Sequence, residues 1–131
     1  MPSGSNVTGT MAGNNIPDLR AIAAGAISGA ILIVLPKCRI TVHPGAGATV
    51  KVFKSSSPHT LINADAAAGR LSYANFNGGD LSTLSSNWLL WAPGAVTTAD
   101  SEGVIDNAGW TAVIAISTAG AVSNLEVVQT P

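Results

Sequence analysis

Charge is scarce in this chain. Only 10% of its 131 residues are Asp, Glu, Lys or Arg, against about 25% in ordinary soluble domains. The net charge is −1, so there is no overall basic field of the kind that holds nucleic acid, and no nucleic-acid partner is expected. A single cysteine, Cys38, excludes an internal disulfide. One cysteine, two histidines and scattered acids show no zinc-ligand spacing, so neither metal nor cofactor is expected. Long apolar runs are missing as well. The longest, residues 21–35, is broken by Gly25, Ser28 and Gly29 and falls short of the roughly 20 residues that span a bilayer. It reads as buried strand ending at Pro36, and no membrane partner is expected. The first residues lack the charged and apolar regions of a secretory leader.

Small and β-tolerant residues are what the chain has in quantity. Ala, Gly, Ser and Thr number 21, 14, 13 and 11. Val, Ile, Leu and Phe make up about a quarter of the chain, enough for one core. The few charges are unevenly placed. Residues 1–70 hold all six basic residues and two acids, whereas residues 71–131 hold five acids and no Lys or Arg. Either the two halves fold against each other and mix their charges, or opposite patches meet between subunits.

Residues 1–15 are rich in Ser, Gly, Asn and Thr and have no apolar period, which predicts a flexible N-terminal arm before a single domain over 16–131. From there short alternating strands are cut by turns. Residues 39–43 place Ile40 and Val42 on one face. Residues 49–54 place Val50 and Val52 inward, with Lys51 and Lys54 read off that face. The intervening His43-Pro44-Gly45-Ala46-Gly47 suggests a hairpin loop. Residues 61–65 read as a weak strand or turn, residues 66–69 as one helical turn capped by Gly69, and residues 71–76 as a strand of ambiguous facing. Asn77-Gly78-Gly79-Asp80 is a turn, and residues 80–87 form a short helical turn. A strand at 88–92 stops at Pro93-Gly94, and residues 95–109 read as a short strand, an acidic loop with Asp100, Glu102 and Asp106, and a turn. Residues 110–117 are apolar on both faces and must be covered on both; a turn at 118–121 returns the chain through 122–128. Seven or eight strands without a long helix predict an all-β fold, a single-domain β-sandwich or jelly roll, with a small barrel as the remaining alternative.

The search for catalytic chemistry returns little. Gly45-Ala46-Gly47-Ala48 lacks the Gly-Lys-Ser/Thr end of a phosphate loop. Cys38 and His43 lie five apart in one strand and point to opposite faces, which defeats a nucleophile–base pair. Lys37 and Arg39 likewise point away from Cys38, leaving a structural thiol. The acidic segment reads as solvated rather than as a calcium loop. Trp88 and Trp91, three apart, face opposite sides of a strand, so one belongs in the core and the other at an interface or binding surface. No catalytic residue is assigned and no enzymatic activity is expected.

The segments PGAVTTAD (93–100), GWTAVIAI (109–116) and VSNLEVV (122–128) resemble small β-rich virion proteins of tailed bacteriophages, the capsid decoration or cement type. The resemblance implies a non-enzymatic shell component that forms homo-oligomers and sits on the major capsid protein or other virion subunits. It would be assembled in the host cytoplasm and carried in the virion. The candidate interface residues are Lys51, Lys54, Trp88, Trp91, Asp100, Glu102 and Asp106. The two lysines would face the acidic segment of a neighbour. The alternative is a carbohydrate- or protein-binding sandwich module, such as a tail or fibre accessory, with an exposed tryptophan beside the acids.

Overall fold

The computed structural model describes residues 14–94, 97–105 and 109–131. The expected arm lies outside these residues for all but Asn14 and Asn15, and Asp106 lies outside them too. The described chain is an all-β sandwich of two antiparallel sheets. Sheet A contains β1 (Ile16–Ile22), β4 (Lys37–His43), β7 (Ser101–Ile105) and β9 (Ser123–Thr130), in the order β1-β9-β4-β7. Sheet B is built on β5 (Val50–Ser55) and β8 (Ala112–Ser117). The short strands β2 (Ala26–Ile27) and β3 (Ile31–Leu32) both pair with β8, and β6 (Leu89–Leu90) pairs with β5.

Alternation places the core. On β4, Cys38, Ile40 and Val42 are buried while Lys37, Arg39 and His43 are exposed; on β9, Leu125 and Val127 turn inward against Asn124 and Glu126. These side chains meet Val50, Val52, Val113 and Ala115 of sheet B, with Trp91 and Ile105 closing one side. Burial pushes the Cys38 thiol up to about 11, so it is held as the neutral thiol.

Every residue of β8 is buried, as its two apolar faces require, because a second layer covers the far side of sheet B. Helices α1 (His59–Ala67) and α2 (Tyr73–Phe76) and a 3-10 turn (Leu81–Thr83) bring Ile62, Phe76 and Trp88 onto Phe53, Ile114 and Ile116. Phe76 meets both Phe53 and Trp88 edge to face. This layer corrects two sequence expectations. Residues 61–65 are helix rather than strand or turn, because only Ile62 and Asp65, one turn apart, need burial there. Residues 73–76 are also helical, with the Ser72 hydroxyl accepting from Asn75 N as an N-cap. The turn at 77–80, the short helical turn after it and Gly69 beyond the end of α1 (φ 73°) are as expected.

The predicted hairpin of residues 39–54 is not one. β4 lies in sheet A and β5 in sheet B, so residues 44–49 carry the chain across the sandwich as an arch. The return from β8 to β9 is a second arch. A single apolar face satisfies either connection, but only an arch sets Ile40 and Val42 across the core from Val50 and Val52. The two arches lie side by side, β4 against β9 and β5 against β8, and their loops interlock. Ala121 N donates to Ala46 O, and Gly45 N donates to the Ser123 hydroxyl. A Cβ on Gly120, which sits at φ 81°, would strike the backbone of Gly47 and Ala48.

The predicted acidic loop is corrected as well. Ser101 to Ile105 form strand β7, with Glu102 and Val104 outward and Gly103 lying against Trp91. Residues 21–35 hold the end of β1, at Ile22, and then only the two short strands β2 and β3, and Val34 is exposed.

Candidate functional site

Among the described residues sheet A is bare where sheet B is covered. Its outward side chains fall in rows set by the ladder register. Pro17, Val128, Arg39 and Val104 form one row; Leu19, Glu126, Thr41 and Glu102 form the next; Ala21, Asn124 and His43 form a third. Among the described residues no element packs over them, and Leu19 is 67% and Val104 52% exposed. The surface is therefore flat, mixed in charge and edged by two apolar side chains, the texture of a contact surface rather than of a cleft.

Two pairs of polar groups on this face meet within the chain. Arg39 Nη1 donates to Glu102 Oε2 at 2.6 Å, across the β4–β7 pair. His43 Nδ1 lies 3.4 Å from Asp100 Oδ2. Around them is a shallow cavity of about 260 Å³ lined by Thr41, His43, Asp100, Ser101 and Glu102. The Ser101 hydroxyl is buried and has no hydrogen-bond partner among the described residues. Ser101 pairs in register with the inward Val42, whereas His43 faces outward, so the neighbouring serine, histidine and aspartate are not disposed as nucleophile and base. Cys38 faces the core, on the opposite side of β4 from His43. Among the described residues no three His, Cys, Asp or Glu converge as metal ligands.

The edges of the sandwich differ. At the free edge of β1, Asp18 and Arg20 occupy inward register positions opposite Val127 and Leu125. Arg20 binds both Asp18 oxygens at 2.8 and 3.0 Å and donates to Ser28 O at 2.8 Å, lacing sheet A to the loop after β2. Pro17 removes a backbone donor from the same strand. Inward charge and proline are devices that keep an edge from pairing with another chain. The other side shows Leu89 and Leu90 on β6, beside β5, 59% and 48% exposed.

The sequence candidates separate. Asp100 and Glu102 come together on the face of sheet A. Lys51 lies on the far side of sheet B, in register with Ile116. Lys54 is a correction: it shares the inner face with Val50 and Val52, the consequence of strict period-two alternation, and its ammonium sits 3.9 Å from the Trp110 ring centroid. Trp88 and Trp91 do face opposite sides of sheet B, but both are buried, and neither offers a binding surface. The charge halves mix within the chain through Arg39–Glu102. Arg39, Thr41, His43, Leu19 and Val104 were not candidates, although the alternation of β4 placed its three on one face.

A second cluster of polar groups has a structural task. Asp65, fully buried at the base of α1, accepts from Ser85 N (2.9 Å), Ser86 N (2.8 Å), the Ser86 hydroxyl (2.5 Å) and Arg70 Nε (2.8 Å). Burial alone would raise its pKa; the bonds from Ser86, Ser85 and Arg70 outweigh burial and hold it at about 2. The Ser86 hydroxyl accepts in turn from Trp88 Nε1, so one carboxylate fastens both ends of the covering layer.

The chain matches no protein-family model, and searches of curated proteins and of solved structures find no match.

Proposed function

We propose that this chain is a non-enzymatic structural subunit of a virion shell, of the capsid-decoration type, seated on neighbouring subunits through the outer face of sheet A. The observation that carries the reading is the asymmetry of the sandwich. One sheet is sealed by its own helical layer, while the other presents a flat surface with Leu19 and Val104 in the open. The guarded β1 edge agrees with it, because edge pairing is discouraged on one side while the face stays available. The binding-module alternative rested on an exposed tryptophan beside the acids, and with Trp88 and Trp91 buried it loses that support.

The size of the face sets the affinity expected. Four strands about 4.8 Å apart and some 20 Å long give roughly 400 Å². That is about half of what each partner contributes to a standard stable interface. Such a contact is weak singly and becomes firm when many copies bind one lattice. The test is native mass by light scattering over a concentration series, at low and high salt, for the wild type and for a Leu19→Glu, Val104→Glu variant. Association that rises with concentration and disappears in the variant is expected. A 13.1 kDa monomer at every concentration and both salts would refute the proposal.

A further inference from the structure

We infer that Asn77 is a site of spontaneous backbone modification, a slow chemical clock in the layer that covers sheet B. Of the nine asparagines, Asn77 alone is followed by glycine. The reaction joins the Gly78 amide nitrogen to the Asn77 Cγ, expels the side-chain nitrogen as ammonia and closes a five-membered succinimide. Water then opens the ring at either carbonyl, leaving aspartate or its β-linked isomer. Overall one amide and one water become one carboxylic acid and one ammonia, so no further reactant is needed.

Three features of the turn favour that attack. Asn77 and Gly78 are both exposed, so water reaches the ring. Among the described residues the Gly78 N–H donates to no backbone carbonyl, which leaves the attacking nitrogen unengaged. Nothing lies within 4 Å of where a Gly78 Cβ would stand, so the backbone there has room to swing. One feature opposes it. The Asn77 side-chain amide donates to the Tyr73 hydroxyl at 3.0 Å, while Asn77 N donates to Tyr73 O at 2.8 Å, holding both ends of the reacting residue at the close of α2. Tyr73 is thus a positioning residue that sets the pace.

The aspartate product changes charge more than packing, whereas the β-linked isomer also lengthens the backbone at the close of α2 by one carbon. A carboxylate at 77 can accept from the Tyr73 hydroxyl in place of donating to it, so the contact survives with its direction reversed. The formal net charge goes from −1 to about −2, close to Asp80, whose carboxylate caps the next turn.

The experiment is prolonged incubation of the whole folded protein at mildly alkaline pH, followed by ion-exchange separation and peptide mass mapping. A more acidic form is expected, heavier by about 1 Da, with the gain confined to the peptide holding Asn77. Asn77→Gln should abolish it, because the longer side chain makes the five-membered ring unreachable. Tyr73→Phe, which keeps the ring and loses only the hydroxyl, should hasten it several-fold. No acidic form in the wild type, or a gain placed at another asparagine, would overturn the assignment. An unchanged rate in Tyr73→Phe would overturn the positioning role.

Discussion

Replacing Asp65 by asparagine tests whether one buried carboxylate holds the covering layer in place. The carboxylate accepts four hydrogen bonds, from Ser85 N, Ser86 N, the Ser86 hydroxyl and Arg70 Nε. Asparagine keeps the shape but has one acceptor oxygen, and its NH2 group then faces donors. Losing charge-assisted bonds and stranding a buried donor costs about 3 kcal/mol. The lowered pKa of Asp65 sets the pH dependence expected of the wild type. The folded group titrates at about 2, below the ordinary 3.8, so between these values the unfolded chain binds more protons and stability rises with pH. The contribution is complete above about pH 4 and is lost as pH falls through 2. The separation of nearly two units corresponds to about 2 kcal/mol. Urea unfolding at pH 7, 4 and 2.5, followed by tryptophan emission, reads both quantities, and Trp88 reports directly because it donates to Ser86. The variant should lose about 3 kcal/mol at pH 7 and vary less between pH 4 and 2.5 than the wild type. A variant within about 1 kcal/mol of wild type at pH 7, or one with an undiminished acid slope, would refute the reasoning.

Gly103→Ala sets a methyl group 2.6 Å from the Trp91 ring and should cost about 1–3 kcal/mol in urea unfolding. Gly120→Ala meets backbone rather than a movable ring, and at φ 81°, so its loss should be larger and show as poor soluble yield. Cys38, held as a neutral thiol near 11, should resist a disulfide reagent at pH 8 in the native protein and react at once in denaturant; rapid native labelling would contradict its burial. Lys51→Glu, on the far side of sheet B from the proposed contact face, should leave self-association unchanged at low and high salt; a salt-dependent loss would place the contact elsewhere.

Much of the fold was legible because alternation is local. Ile40, Val42 and the inward Cys38 follow from period two alone, and the doubly buried β8 from a run that is apolar on both faces. The arches were not, since Pro44-Gly45-Ala46-Gly47 serves a crossing as well as a hairpin, and only the partner strands decide. Helix α1 escaped because its one buried large apolar side chain, Ile62, leaves almost no amphipathic stripe. Glu102 lies on a strand because Gly103 beside it admits Trp91, a contact made at long range. Asp65 carried no signal at all: its partners Ser85 and Ser86 stand twenty residues away.

The paired arches also govern how the protein is made. Cys38 pairs with Gln129, and Val50 with Ser117, so neither member of the first arch finds its ladder near in sequence. In sheet A, β9 stands between β1 and β4, and it is the strand with which β1 pairs. A nascent chain that has emerged only through β8 therefore has β1 unpaired and half of its core exposed to water. Long-range closure of this kind is slow and leaves sticky intermediates. Sheet A is completed only when residues 123–130 are free to pair with both β1 and β4, and a chain lacking them would be left with these strands unjoined.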